Sequence, residues 1–162
     1  MEVSRVRADE WEALRDLRLR ALADAPDAFR ATIAEARERP EEWWREWARD
    51  SAESDERAMF VARLDGRPVG LAGVYHDEGV WNIVAMWVAP EARLAGAGRA
   101  LLDATVAFAR ENGGEVIELD VTDGNAAARR LYESCGFVET GRSDPLRMGS
   151  PLVVRALRLE RS

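Results

Sequence analysis

Apolar residues recur at helical spacing near the start of the chain. Trp11 and Leu14 begin a series that repeats every three or four residues, and Asp9 precedes the series as a candidate N-cap. This pattern predicts a helix that ends near Ala23. Residues 24–30, which include a proline, then break the pattern.

A second predicted helix begins at Pro40, a residue suited to the first helical position. Glu41 and Glu42 complement the helix dipole there. Trp43, Trp44 and Trp47 fall on one side of this helix. We interpret the three indoles as packing residues, and the alternative is a wall of a ligand cleft.

From Met59 onward, short apolar runs typical of strands alternate with helical spacing. The predicted strands are Met59–Leu64, Val69–Tyr75, Val80–Val88, Val116–Val121, Phe137–Thr140 and Leu152–Leu159. Asp65-Gly66 predicts a hairpin between the first two strands. Two more helices are predicted, one carrying Leu101 and Ala109 and one carrying Ala128 and Cys135. The order predicts a single α/β domain over residues 1–162, with a mixed sheet of six or seven strands.

The composition removes several kinds of chemistry. The 162 residues include 23 basic and 30 acidic side chains, for a net charge of −7, and every basic side chain is Arg. Without Lys there is no Schiff-base enzyme and no phosphate loop that ends in Gly-Lys. One His (His76) and one Cys (Cys135) exclude a zinc cluster built from such residues, and Cys135 is interpreted as a small buried apolar residue.

The same numbers bear on partners and location. Net acidity argues against nucleic acid as a partner, because phosphate binding needs clustered cations. No stretch approaches the roughly 20 apolar residues that span a bilayer, and the first ten residues lack a signal core. We therefore expect no membrane association and a cytoplasmic location.

A glycine-rich turn follows the strand that ends at Val88. The segment M-W-V-A-P-E-A-R-L-A-G-A-G, from Met86 to Gly98, places glycines where a new helix begins. Free N–H groups and the helix dipole make such a turn a candidate anion site, and Arg93 and Arg99 are candidate charged ligands. A tight connection without a ligand is the alternative.

A second segment, N-A-A-A-R-R-L-Y-E-S-C-G-F, runs from Asn125 to Phe137. Asn125 is placed to cap the helix, and Tyr132 lies two turns further on, along the stripe of Ala128 and Cys135. A Tyr on such a stripe is typically a core residue.

Together the two segments resemble motifs of the GCN5-related N-acetyltransferase superfamily, V-x-P-x-x-R-x-x-G-x-G and N-x-x-A-x-x-L-Y-x-x-x-G-F. The resemblance covers nearly the whole chain. It implies a mostly antiparallel sheet with helices on both faces and a splayed central strand pair. It also implies acetyl-CoA as co-substrate, and it allows a homodimer.

The resemblance assigns roles position by position. The backbone of the glycine turn would hold the diphosphate, and the strand end would pair with the pantetheine arm. The implied cofactor-binding residues are Met86, Trp87, Val88, Arg93, Leu94, Ala95, Gly96, Ala97, Gly98, Arg99, Asn125, Ala128 and Tyr132, with Arg129 and Arg130 as further phosphate candidates. The Val88 N–H would polarise the thioester carbonyl, and Tyr132 would protonate the departing thiolate.

The general base is the open question. Many family members carry Glu at the position of Asn82, and Asn accepts no proton at neutral pH. Asn82 could orient a water that relays the proton, or the natural amine has a low pKa. Another group could be the base, and the candidates are Asp120, Asp77, Glu78 and His76.

Two functions remain open at this point. The first is an N-acetyltransferase acting on a small-molecule or protein amine, for which net acidity favours a cationic acceptor. The second, suggested by Asn82, is a non-catalytic module that binds acyl-CoA. A lack of Lys means that any acetylated lysine belongs to another chain.

Overall fold

The computed structural model describes residues 1–160. Its strands are β1 (Glu2–Arg5), β2 (Arg57–Leu64), β3 (Arg67–Asp77), β4 (Val80–Val88), β5 (Val116–Thr122), β6 (Val138–Pro145) and β7 (Val153–Glu160). Its helices are α1 (Trp11–Asp24), α2 (Ile33–Arg37), α3 (Glu41–Glu53), α4 (Ala97–Glu111) and α5 (Ala126–Ser134). Short 3-10 turns span Ala8–Glu10, Pro26–Ala28 and Pro90–Ala92. The predicted α/β fold is confirmed, with seven strands.

One sheet contains all seven strands, in the order β1-β2-β3-β4-β5-β7-β6. Every neighbouring pair is antiparallel except β4 and β5, which are parallel. Their pairing runs only from Val80 to Ile83 on β4, although β4 continues to Val88 and β5 to Thr122. The two strands therefore part after four residues, which confirms the expected splayed pair and leaves a gap at their carboxyl ends.

A bulge in β4 lies at the point where the strands part. The register with β3 shifts between Leu71 and Gly73, so that two β4 residues, Ala85 and Met86, oppose Ala72 alone. Ala85 has a φ of 58°, a left-handed conformation that is rare for a residue with a Cβ. The bulge bends the end of β4 away from the line of β5.

Helices cover both faces of the sheet. On one face, called here the α4–α5 face, residues of both helices pack with Ile83, Leu119 and Phe137 in an apolar cluster. On the opposite face, α1 and α3 pack against β2, β3 and the end of β4. Trp44 is buried in that second cluster, and Trp43 and Trp47 pack against it, as the packing interpretation predicted.

The structure corrects several helix boundaries. Asp9 does not cap α1, because it lies inside the turn Ala8–Glu10 and the helix begins at Trp11. Pro40 is the residue before α3 rather than its first residue. Helix α2 and strand β1 are absent from the sequence prediction. The signal for α2 was present, because Thr32 and Glu35 form a capping box.

No helix within residues 1–160 is both long enough and apolar enough to cross a membrane.

Candidate functional site

The glycine turn presents unpaired backbone donors at the start of α4. Gly96 precedes the helix with a φ of 82°, a conformation that glycine adopts without strain. The first helical hydrogen bond runs from the Ala100 N–H to the Gly96 oxygen, at 3.1 Å. The N–H groups of Ala97, Gly98 and Arg99 therefore come before the helical ladder and face a solvent-exposed loop, as an anion site requires.

The second glycine of the motif has a packing role. A Cβ at Gly98 would lie 3.1 Å from Cδ2 of Leu131 on α5 and 3.9 Å from Cγ2 of Val88. Glycine at this position lets α4 approach both α5 and the end of β4. The loop is thereby held against the gap between β4 and β5.

The arginines of the loop are already engaged with protein groups. The Arg93 guanidinium donates to the carboxylate of Asp24, at 2.8 Å, and to the carbonyl oxygen of Val88, at 3.1 Å. Asp24 also accepts a hydrogen bond from the indole of Trp87, at 2.9 Å. Arg99 lies 3.7 Å from Asp103 on the exposed side of α4. Arg93 thus ties the loop to α1 and β4, and the backbone N–H groups remain the available anion donors.

The edge of β4 that faces the gap carries a free backbone donor. Ala89 donates its N–H to Val69 of β3, at 2.7 Å. Because successive N–H groups of a strand point to opposite edges, the N–H of Val88 points away from β3 and toward the gap. Beyond Ile83, β4 has no pairing with β5 that could use this donor.

Helix α5 borders the gap from the α4–α5 face. The Asn125 side chain accepts a hydrogen bond from the Ala128 N–H, at 3.2 Å, which confirms its predicted role as the helix cap. Ala128, Tyr132 and Cys135 all belong to the apolar cluster on this face, although Cys135 is only partly buried. The stripe therefore faces the sheet as predicted.

Tyr132 is a buried phenol in apolar surroundings. Its ring packs edge-on against Phe137, with centroids 6.3 Å apart. Burial raises the pKa of Tyr132 to about 12, because the phenolate would lose its hydration. Tyr132 is thus neutral and carries its proton at physiological pH.

Asn82 lies on the face of the sheet opposite Tyr132, in the part of β4 that still pairs with β5. Its neighbours across the sheet are Tyr75 on β3 and Glu118 on β5. Side chains in register on adjacent strands share a face, so Asn82 and Glu118 lie side by side. The sequence prediction missed Glu118.

Glu118 is held by two arginines. Arg158 donates to one carboxylate oxygen through Nε, at 2.8 Å, and Arg142 donates to the other, at 3.0 Å. Burial of Glu118 acts to raise its pKa, but the hydrogen bonds and charges of Arg158 and Arg142 outweigh burial and lower the pKa. Glu118 is therefore a poor proton acceptor, although its position next to Asn82 is the one a base would need.

Asp120 lies on the same face of the sheet as Asn82, just beyond the last β5 residue that pairs with β4. Its neighbour Leu119 pairs with Ile83, and Asp120 is the first β5 residue at the gap. The side chain is about one third exposed, and its carboxylate accepts a hydrogen bond from Arg30, at 2.8 Å. Among the four alternative bases considered from the sequence, Asp120 is the one placed at the gap.

The other three candidates lie at the far end of β4. His76 pairs in register with Trp81, packs on its ring at 5.1 Å, and accepts a hydrogen bond from the Gly79 N–H. Asp77 and Glu78 lie where β3 turns into β4. A hollow of about 570 Å³ surrounds His76 and Trp81, but β4 and β5 are still paired there. None of the three lies at the gap.

A smaller cavity, of about 280 Å³, lies on the face of Asn82. Its lining includes Trp47 of α3, Met59, Tyr75 and Val84. Tyr75 and Val84 are each about 40% exposed, which is unusual for large apolar side chains in a sheet. Trp47 therefore serves both interpretations of the Trp cluster, as a packing residue and as a cleft wall.

Within the described part of the chain, no group of three or more His, Cys, Asp or Glu is arranged to hold a metal ion.

Comparison with known proteins gives concordant matches. The family model described as Acetyltransferase (GNAT) family matches residues 11–137. A mycothiol acetyltransferase from Thermobispora bispora is 34% identical over 133 residues, which cover 78% of this chain and 42% of that protein. This chain thus spans about two fifths of the length of the mycothiol acetyltransferases that it matches.

Solved structures share the whole fold. A GNAT-family acetyltransferase from Streptococcus pneumoniae has a TM-score of 0.82, with 19% identity and 99% of both chains covered. A Salmonella typhimurium protein described as an acetyltransferase, solved with its cofactor acetyl-CoA, has a TM-score of 0.79, with 21% identity over 99% of this chain and 93% of that one.

Proposed function

The chain belongs to the GNAT acetyltransferase family, and from that membership we propose that it transfers the acetyl group of acetyl-CoA directly to an amine. The observation that carries the proposal is the gap between β4 and β5. Free backbone donors border the gap, with a neutral phenol on one face and a carboxylate on the other.

The residues around the gap fit a coenzyme A thioester. The N–H groups of Ala97, Gly98 and Arg99 would hold the diphosphate at the start of α4, where the helix dipole favours negative charge. The free edges of β4 and β5 would pair with the amide groups of the pantetheine arm. When bound, acetyl-CoA supplies the activated acetyl group.

Two residues would assist the transfer from the cofactor side. The Val88 N–H, which points into the gap, would donate to the carbonyl oxygen on which negative charge develops. Tyr132 would donate its proton to the departing sulfur, since burial keeps the phenol protonated. A binding module has no need of a proton donor at that position.

Asp120 would be the general base. An alkylamine with a pKa near 10 is neutral about once in a thousand molecules at pH 7, so a proton acceptor near the amine matters. The Asp120 carboxylate lies at the gap on the face opposite Tyr132, and Arg30 holds it in place. Asn82 lies on the same face, on the neighbouring strand β4 in register with Glu118, and would orient a water beside Asp120.

The experiment measures thiol release from acetyl-CoA with a panel of amines, next to binding of acetyl-CoA alone. We expect thiol release with at least one amine. Asp120→Asn should lower kcat by about 10²- to 10⁴-fold at neutral pH and leave acetyl-CoA binding unchanged. Asp123→Asn is the control, since Asp123 pairs with Arg155 at 3.1 Å on the neighbouring turn.

Two results would contradict the proposal. Tight binding of acetyl-CoA without thiol release for any amine would favour the acyl-CoA-binding module. An undiminished kcat in Asp120→Asn would remove Asp120 as the base and return the role to water held by Asn82. In that case Asn82→Asp should raise the rate at neutral pH.

A further inference from the structure

Arg18 occupies a position where the pattern of α1 calls for an apolar residue. The buried residues of this helix include Leu14, Ala21 and Leu22, and Arg18 lies between them on the same side of the helix. Its guanidinium is therefore directed into the protein, on the face of the sheet that carries Asn82. The other arginines of α1, Arg15 and Arg20, have exposed acidic partners.

The Arg18 guanidinium has no counter-ion among residues 1–160. Its Nη1 is buried without a hydrogen-bond partner, the one such side-chain atom in the described part of the chain. No carboxylate of the described residues lies within 4.0 Å of the guanidinium. Buried guanidinium nitrogens normally have a partner, so a buried Nη1 without one on a partly buried arginine is expected to meet its anion from outside the chain.

Burial lowers the pKa of Arg18 to about 10, which still leaves the guanidinium charged at neutral pH. Its central carbon, Cζ, lies 5.0 Å from the centroid of the Phe29 ring, within the range of a cation–π contact. The contact holds the guanidinium beside Phe29.

Phe29 belongs to a loop that is tied to the end of β5, where the gap lies. The Phe29 carbonyl accepts a hydrogen bond from Arg147, at 2.9 Å. On one side of Phe29, the Asp27 carbonyl accepts from the Thr122 hydroxyl, at 2.8 Å. On the other side, Arg30 pairs with Asp120. The loop is therefore tied to the end of β5, and Arg18 contacts this loop at the ring of Phe29.

We propose that Arg18 binds an oxyanion, a carboxylate or a phosphate, on the acceptor molecule whose amine is acetylated. This inference rests on the proposed acetyl transfer, because it assigns a substrate class to the same site. The acceptor is then zwitterionic, with its amine near Asp120 and its anionic group on the fork of Arg18.

The charge of the whole chain points to a cationic acceptor, but the local charges refine that expectation. The net charge of −7 is spread over the surface, where water and salt screen it within about 10 Å. Arg18 is partly buried, with Nη1 away from solvent, and acts at contact distance, where screening is weak. An acceptor with both a cation and an anion satisfies the two observations together.

The first test compares each standard amino acid with its amide, and phosphoethanolamine with ethanolamine, as acceptors. Arg18→Met keeps a flexible apolar side chain over Phe29 and removes the fork. We expect it to raise the KM of the acceptor that carries the carboxylate or phosphate by about 10- to 100-fold, because charge-assisted bidentate hydrogen bonds are lost. The KM values of the amide or ethanolamine, which lack the anionic group, and of acetyl-CoA should stay within about twofold.

Arg15→Met is the matched control. Arg15 lies on the same helix and stacks over Trp11 at 5.2 Å, but it pairs with exposed Asp16. Its substitution should change neither KM. Arg18→Lys keeps the charge without the fork and should give a smaller rise in the KM of the acceptor that carries the anionic group. Arg18→Lys carries the comparison if Arg18→Met fails to fold.

The second test does not depend on catalysis. With saturating coenzyme A, N-acetylalanine should raise the unfolding temperature of the native protein, and N-acetylalaninamide should not. Inorganic phosphate is the parallel probe for the phosphate source, with chloride at equal ionic strength as its control. Arg18→Met should abolish the rise for whichever anion produces it.

Each remaining outcome decides the proposal. The proposal is overturned if the KM of the amino acid divided by the KM of its amide is the same in the native protein and in Arg18→Met. It is also overturned if Arg18→Met raises only the KM of acetyl-CoA. If no amine is acetylated, the proposed function fails, and the unfolding measurement decides for Arg18. An Arg18-dependent rise in unfolding temperature supports the anion site, and the absence of any rise refutes it.

Discussion

Tyr132 and Glu118 are buried titratable groups on opposite faces of the sheet beside the same gap. Tyr132 lies among apolar side chains of the α4–α5 face, and burial raises its pKa to about 12. Glu118 lies on the opposite face, and although burial acts to raise its pKa, Arg158 and Arg142 lower it. The same burial therefore leaves one group protonated and the other ionised.

The difference shows how surroundings assign chemical roles near the gap. An isolated phenol in apolar surroundings keeps its proton and serves as a donor. A carboxylate clamped by two arginines keeps its charge and serves as a structural tie. Asp120 lies on the face of Glu118 but is one third exposed and held by Arg30 alone, and it is the carboxylate that we propose for proton transfer.

The largest effect is expected from removal of the Tyr132 hydroxyl. Tyr132→Phe should lower kcat by about 10²- to 10⁴-fold with little change in the KM of acetyl-CoA, because a positioned acid acts only in the transition state. Steady-state thiol release measures it. Thr105→Val is the control, since it removes a buried hydroxyl of α4 whose partner is the Leu102 carbonyl. An unchanged kcat in Tyr132→Phe would assign Tyr132 to packing alone.

Glu118→Gln tests the other side of the comparison. It should lower the free energy of unfolding by about 2–4 kcal/mol, because loss of the buried charge leaves two arginines without their partner. Urea unfolding measures the change. Glu139→Gln, which removes an exposed partner of Arg129, should cost less than about 1 kcal/mol. Equal losses in the two variants would mean that burial adds nothing to the Glu118 cluster.

The two groups should respond to opposite ends of the pH scale. The folded-state pKa of Glu118 lies below the unfolded value, so its contribution is present above the unfolded pKa, near 4.3, and is lost as pH falls through the folded pKa. The folded-state pKa of Tyr132 is raised, so its contribution is present below about pH 10 and is lost as pH rises toward 12.

Unfolding of the native protein, Glu118→Gln and Tyr132→Phe over a range of pH would show this contrast. The difference in the free energy of unfolding between the native protein and Glu118→Gln should shrink in acid. Native protein and Tyr132→Phe should diverge in alkali, where only the native protein has this buried phenol to ionise. A constant difference at both ends would contradict the assigned pKa directions.

The smallest effects are expected at the glycine turn between β4 and α4. Gly96→Ala should cost about 1 kcal/mol through its φ of 82°, since a Cβ there meets no atom within 4 Å. A Cβ at Gly98 would instead lie 3.1 Å from Cδ2 of Leu131, so Gly98→Ala requires this side chain of α5 to shift at the contact between α4 and α5. We expect Gly98→Ala to raise the KM of acetyl-CoA more than Gly96→Ala does, and steady-state kinetics would detect the reverse order.

Local patterns predicted most of the fold. The bounds of β4 were predicted as Val80–Val88 and are confirmed, because a run rich in β-branched and aromatic residues and a following Pro mark them without distant contacts. The cap at Asn125 was likewise readable, since it involves residues three apart. Strand β1 was missed, because its four residues carry little local signal and pair with β2, from which three helices separate them in the sequence.

The sequence by itself determined the cofactor half of the candidate site, and the tertiary structure decided the acceptor half. The backbone donors of Ala97, Gly98 and Arg99 and the stripe of Ala128, Tyr132 and Cys135 are encoded within single segments, so spacing reveals them. Glu118 with Arg142 and Arg158, Asp120 with Arg30, and Arg18 with Phe29 join residues distant in sequence. Whether a given Arg or carboxylate is paired, exposed or left without a counter-ion depends on contacts across the fold, and those contacts leave no periodic trace in the chain.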